Sequence, residues 1–152
     1  MNCTGSSFWV NGNREFRDTY NPGAETDMDI DRFTTIADEE AQALPEEFYR
    51  DLSGGVVIDQ KLMVSEGALA DDLFTLGQYR VGPTGRQVVL FYGTFERMFS
   101  HLSDEDYRIE IRKVLRHEFR HHLEFLGGIH NSGSLEAEDA RKYADYLKSH
   151  NR

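Results

Sequence analysis

His117 and His121 stand four residues apart, with Glu118 directly after the first of them. If this segment is helical, the two imidazoles lie one turn apart on one face and can converge on a single ion. Glu118 is then offset by about a hundred degrees, which brings its carboxylate beside the ion without making it a ligand. Two imidazoles and a carboxylate suit Zn2+, with the fourth position left to water. Zinc lowers the pKa of that water to about 7, and a neighbouring glutamate can take its proton as it attacks a carbonyl. The pattern points to metal-assisted hydrolysis, with His117 and His121 as ligands and Glu118 as catalytic acid/base.

A third ligand must come from elsewhere in the chain. The extended metzincin form of the motif requires Gly and His three and six residues past the second histidine, where this sequence has Glu124 and Gly127. No methionine follows the motif, the last being Met98, so a Met-turn is absent as well. A carboxylate from the next helix is the natural source. Asp139 is the first choice, ahead of Glu138, Glu136 and, from the intervening loop, His130. Acids gather at helix N-termini for electrostatic reasons alone, so these alternatives stay open. His122 points to another face and reads as a packed or hydrogen-bonding residue. Tyr92, Tyr143 and His130 are candidates for stabilising an oxyanion.

The elements that must hold these residues can be read from apolar spacing. Ser103 followed by Asp106 marks a helix start. Ile111, Val114, Leu115, Phe119 and Leu123 carry the helix from about Asp104 to Leu126, where Gly127 and Gly128 end it. A last helix is expected from about Leu135 to Lys148. Upstream, Phe33, Ile36, Ala37, Ala41 and Leu44 define a helical face. Pro45 opens a further turn that carries on through Phe48 and Leu52 to a stop at Ser53-Gly54-Gly55. Val56-Val57-Ile58 and Gln87 to Tyr92 read as strands, the second after the turn Gly82-Pro83-Thr84-Gly85. Residues 66 to 76 fit a short helix or a loop, a strand begins near Leu76, and Phe95 to Phe99 fit a helical turn. The strand Val88 to Tyr92 reads either as a sheet edge above the metal, open to an extended peptide, or as a simple buried strand.

This order predicts an α+β domain. Residues 1 to 28, polar and marked by Asn11-Gly12 and Asn21-Pro22-Gly23, read as an N-terminal extension that is weakly ordered or docks as an arm. Phe8, Trp9, Val10 and Phe16 fit a short extended arm, and residues 29 to 152 form the single domain.

Composition narrows the function. The chain has 152 residues, 39% of them hydrophobic and 12% aromatic, enough for a real core. Its 27 acidic and 17 basic residues give a net charge of -10, which disfavours a phosphate backbone as partner. No apolar run is long enough to span a membrane, and no signal peptide is visible. The single Cys3 excludes an intramolecular disulfide and a cysteine-rich metal site. The expected setting is cytoplasmic, and the expected partner is a peptide or protein substrate.

Beyond the motif, three segments resemble the small, minimal zincin-like metallopeptidases of bacteria. They are EEAQALPEEFY from Glu39 to Tyr49, QVVLFYGTFER from Gln87 to Arg97, and IRKVLRHEFRHHLEFLGG from Ile111 to Gly128 followed by LEAED. The resemblance covers about residues 33 to 147, and the adjacent His121-His122 pair with Leu-Pro-Glu-Glu-Phe is its most discriminating part. It implies a compact zincin-like core without a Met-turn, with the active-site helix late in the chain. It also implies His117 and His121 as zinc ligands, Glu118 as the acid/base, and a closing acid between Leu135 and Asp139. Arg120 departs from the wider zincin pattern, in which that inner position is usually uncharged, and the loop from Gly127 to Ser134 is longer than in the shortest relatives. A metal-binding regulatory or interaction module with little catalysis is the alternative function. A structural zinc site, normally closed by four ligands and rich in cysteine, fits the residues poorly.

Overall fold

In the computed structural model the described residues are 4–11, 28–70, 72–83, 85–129, 131 and 133–150. Phe16, His130, Gly12 and the Asn21-Pro22-Gly23 turn lie outside them.

The architecture is α+β: a small mixed sheet with helices packed against it. Strands β1 (Thr4–Asn11), β2 (Gly55–Asp59), β3 (Met63–Val64), β4 (Leu73–Gly82) and β5 (Gly85–Phe91) are joined by helices α1 (Ile30–Gln42), α2 (Tyr92–Phe99), α3 (Asp104–Gly127) and α4 (Leu135–Ser149). The order across the sheet is β1-β4-β5-β2, with β3 pairing additionally with β4. β5 therefore lies inside the sheet, antiparallel to β4 and parallel to β2. This corrects the edge reading of Val88 to Tyr92: Val88, Val89, Leu90 and Phe91 are all essentially inaccessible and form a buried strand, while Tyr92 already opens α2. The outer strand on the β4 side is β1, drawn from the N-terminal extension, whose register on β4 shifts between Phe8 and Trp9.

Other boundaries moved for local reasons. α1 stops at Gln42, and Pro45 leads only a single 3-10 turn over Glu46–Tyr49. The helical face from Phe33 does not run on to Leu52, because the residue before a proline avoids the helical conformation. Of the 66 to 76 segment, the part from Leu73 onward is strand.

α3 is the long element that carries the motif. The Ser103 side chain accepts from the N–H of Asp106, three acids fill the first turn, and Gly128 closes the helix in the left-handed conformation (φ 66°). Its inner stripe begins as Tyr107, Ile111, Val114 and Leu115, packed on Phe33, Phe95, Leu76, Tyr79, Val88 and Leu90. The helix approaches β4 so closely that a Cβ added at Gly77 would lie 2.6 Å from the Cγ1 atom of Val114. On its other flank, Arg112 holds Glu40 of α1 with two bonds of 3.1 and 2.8 Å, and Arg108 reaches Glu39 at 2.8 Å. α3 is thus fixed on two sides before its C-terminal half reaches the site.

Candidate metal centre

The inner stripe of α3 continues past Leu115 to Glu118, Phe119 and His122, at the same three- and four-residue spacing. Two polar side chains therefore occupy positions where this helix otherwise places apolar residues. His122 is satisfied there: Nδ1 is 2.7 Å from the Tyr79 hydroxyl and Nε2 is 2.7 Å from the carbonyl oxygen of Arg50. Burial holds its pKa below the usual histidine range. This is the hydrogen-bonding role its position predicts. Tyr79 and the Arg50 carbonyl, which fix it, had no signal in the spacing.

Glu118 is different. Its side chain is wholly inaccessible, and neither carboxylate oxygen makes a hydrogen bond of normal geometry. Burial drives its pKa well above the ordinary carboxylate range, the negative charge of Asp139 adds to the rise, and the nearby peptide groups of Phe8 and Tyr79 oppose it. An unpartnered buried carboxyl costs folding energy unless something else satisfies it.

His117 and His121 sit beside this carboxylate, on the flank of α3 that faces α4. Their rings are 4.9 Å apart, and His117 Nε2 is 4.0 Å from Glu118 Oε1. From α4, Asp139 Oδ2 comes to 2.7 Å from His121 Nε2 and 3.2 Å from His117 Nε2. The three donor atoms lie within 4.8 Å of one another and could hold a metal ion. Tetrahedral bonds of about 2.0–2.2 Å separate donors by roughly 3.3–3.6 Å, the same scale. Burial pushes the Asp139 carboxyl up, but the hydrogen bonds and charges of the two histidines outweigh it and hold the group down at about 2. A carboxylate kept ionised between two imidazoles, with an orphaned carboxyl alongside, is a donor set that fits a divalent cation.

The other candidates are placed elsewhere. Glu138 pairs with Arg120 at 2.9 Å, and Glu136 is exposed on the first turn of α4. The Tyr143 hydroxyl donates to the Gly67 carbonyl at 3.0 Å, and the Tyr92 ring packs on Phe33. Phe8 of β1 is a neighbour that spacing could not reveal, because it arrives from more than a hundred residues away. Its ring meets His117 edge to face at 4.7 Å, while Lys142 of α4 lies over both Phe8 and Trp9 and donates to the Trp9 carbonyl at 2.9 Å. His117 and His121 are left only 14% and 7% exposed.

The far end of α4 is held by a second polar group. The Tyr146 hydroxyl is 2.5 Å from Asp72 Oδ1, and His150 Nε2 is 2.7 Å from Asp72 Oδ2. The bond to Asp72 raises the His150 pKa. Burial raises that of Asp72, but the bonds from Tyr146 and His150 prevail and lower it. The histidine's contribution is complete below its unfolded value of about 6.5 and is lost as pH rises through its higher folded value. The aspartate's is present above about 3.8 and is lost as pH falls through its lower folded value. The clasp should therefore stabilise most between about pH 4 and 6.5. Urea midpoints of wild type and His150→Ala should differ most in that window and converge at alkaline pH.

No family model matches the chain, and no curated protein matches it significantly. Among solved structures, the chain is similar to one described as a conserved hypothetical protein from Thermus thermophilus. The identity is 28% and the TM-score 0.56, over 66% of this chain and 98% of that one. Among the described residues no helix is long and apolar enough to cross a membrane.

Proposed function

We propose that the protein is a zinc-dependent hydrolase of peptide or amide bonds with a zincin-like core, resembling the minimal metallopeptidases noted above. The observation that carries this reading is the pairing of two features: three donors converging within 4.8 Å, and a fully buried, unpartnered carboxylate 4.0 Å from one of them. His117, His121 and Asp139 would hold the ion, which when bound supplies Lewis acidity toward a carbonyl and toward water. Glu118 is positioned to accept a proton from the attacking water as the carbon–oxygen bond forms. It returns that proton to the leaving nitrogen as the carbon–nitrogen bond breaks. Desolvation of Glu118, which raises its basicity, favours this role.

A second reading, a metal-dependent binding or regulatory module with little catalysis, is favoured by the tightness of the site. Glu118 is sealed, Phe8 covers one edge of His117, and the Tyr143 hydroxyl is committed to Gly67. Turnover of unfolded polypeptides or a peptide panel separates the two. Hydrolysis that disappears on chelation and returns with zinc supports the enzyme. A zinc-loaded but inert protein, with a partner interaction that survives Glu118→Gln and fails in His117→Ala, supports the module.

A further inference from the structure

Arg120 is the charged residue inside the motif that the resemblance leaves without a role. It lies on the flank of α3 turned toward the start of α4, and its guanidinium is committed three times. Nε donates to Glu124 Oε2 at 2.8 Å, one terminal nitrogen to Glu138 Oε2 at 2.9 Å, and the other to the carbonyl of Gly133 at 3.4 Å. Glu124 adds a second grip, because its Oε1 accepts the backbone N–H of Leu135 at 2.7 Å. That N–H is one of the orphan donors every helix start must satisfy. The Ser134 hydroxyl satisfies another, that of Ala137. Glu124 is only 15% exposed, so its two bonds are partly shielded from water.

Apart from the Arg120–Glu124 pair within α3, these contacts fall on the loop end and first turn of α4, and Glu138 immediately precedes Asp139. The two histidines come from α3 alone and are fixed by one helix. The carboxylate comes from a separate helix across a Gly- and Ser-containing loop, so its position depends on how α4 docks. We propose that Arg120 and Glu124 form a clamp that sets the first turn of α4 against α3 and so positions Asp139 for the ion. They are positioning residues of the metal centre, and this inference rests on the metal reading given above. The planar guanidinium suits the task, since it bridges two carboxylates and a carbonyl from one fixed fork, which a lysine ammonium cannot reproduce.

The test is the zinc affinity of the full chain, measured by competition with a chromophoric chelator. Each variant is also checked for complete folding by circular dichroism and for its metal-free melting temperature. Arg120→Ala and Glu124→Ala should each weaken zinc by about tenfold, the low end of the loss seen when groups supporting a ligand are removed. Arg120→Lys should recover only part of that loss. The metal-free melting temperature should move little in Arg120→Ala, whose ion pairs are largely exposed, and fall modestly in Glu124→Ala, which also loses the bond to the Leu135 N–H. Zinc affinity within twofold of wild type in both alanine variants, with wild type binding zinc and His117→Ala not, overturns the clamp and leaves the metal centre standing. A wild-type chain that does not bind zinc overturns the metal reading, and the clamp with it.

Discussion

Glu118→Gln is expected to keep zinc at the wild-type level and to lower hydrolysis by about 10²–10⁴-fold, the range contributed by a positioned general acid–base. The amide is nearly isosteric with the carboxylate, so the packing against β1 and β4 should survive. None of the three donors is touched, which is why metal content should not change. What disappears is the ability to take a proton from water and hand it to the leaving nitrogen. The metal-free variant should also be more stable than metal-free wild type at neutral pH. Glu118 sits wholly buried, with no hydrogen bond of normal geometry to either oxygen, so burial favours its neutral form in the fold. A raised folded pKa means the native state binds the extra proton, and stability falls as pH rises above the unfolded value of about 4.5. Glutamine has no such proton to bind. Parallel measurement of turnover, bound zinc and urea midpoint checks all three parts, and equal turnover in the variant would remove Glu118 from the mechanism.

The second large effect is expected at Asp139, the proposed third ligand. Asp139→Ala should weaken zinc by more than about a hundredfold, beyond the 10–100-fold that loss of a merely supporting group costs. Glu138→Ala should weaken it only several-fold, through the bridge to Arg120, and Glu136→Ala should leave it unchanged. The ordering follows from the geometry, since Asp139 alone of the three reaches both imidazoles. Stability should report the same ranking. At a free zinc concentration a hundred times the dissociation constant, binding adds about 2.7 kcal/mol to the folded state. For a chain of this size that is a rise of roughly 5–10 °C in melting temperature. Glu136→Ala should keep that rise, and Asp139→Ala should lose it at the same zinc concentration.

The helices were legible because their signals are local. Ser103 and Gly128 bracket α3, the apolar stripe from Ile111 runs through it, and histidines four apart must share a face. α4 begins at the expected Leu135, with Ser134 as its N-cap. Even Asp139 could be ranked first among three acids, though nothing in the spacing separates it from Glu138. That distinction is made by how α4 docks, and docking depends on contacts across eleven to eighteen residues that no periodicity encodes. The i,i+4 pair of Arg120 and Glu124 was visible as a spacing and not as a clamp, because its further partners lie on the next helix.

The sheet was harder to read for the same reason. β2 and β5 show as apolar runs, but a run does not say whether it lies at an edge, and β5 proved to be interior. The strand that takes the edge comes from a segment whose composition reads as an extension, and it pairs with residues some seventy positions away. Phe8 reaches His117 only through that pairing. The burial of Glu118 follows from the stripe, since it falls in line with Ile111, Leu115 and His122.

The metal centre is tested most directly by the metal content of protein purified without added metal, measured by elemental analysis beside His117→Ala and His121→Ala. Near-stoichiometric zinc in wild type, absent from both variants, is the predicted result. A wild-type chain that carries no metal, and takes up none when zinc is supplied, would contradict the metal reading, leaving His117, His121 and Asp139 as a hydrogen-bonded cluster between two helices.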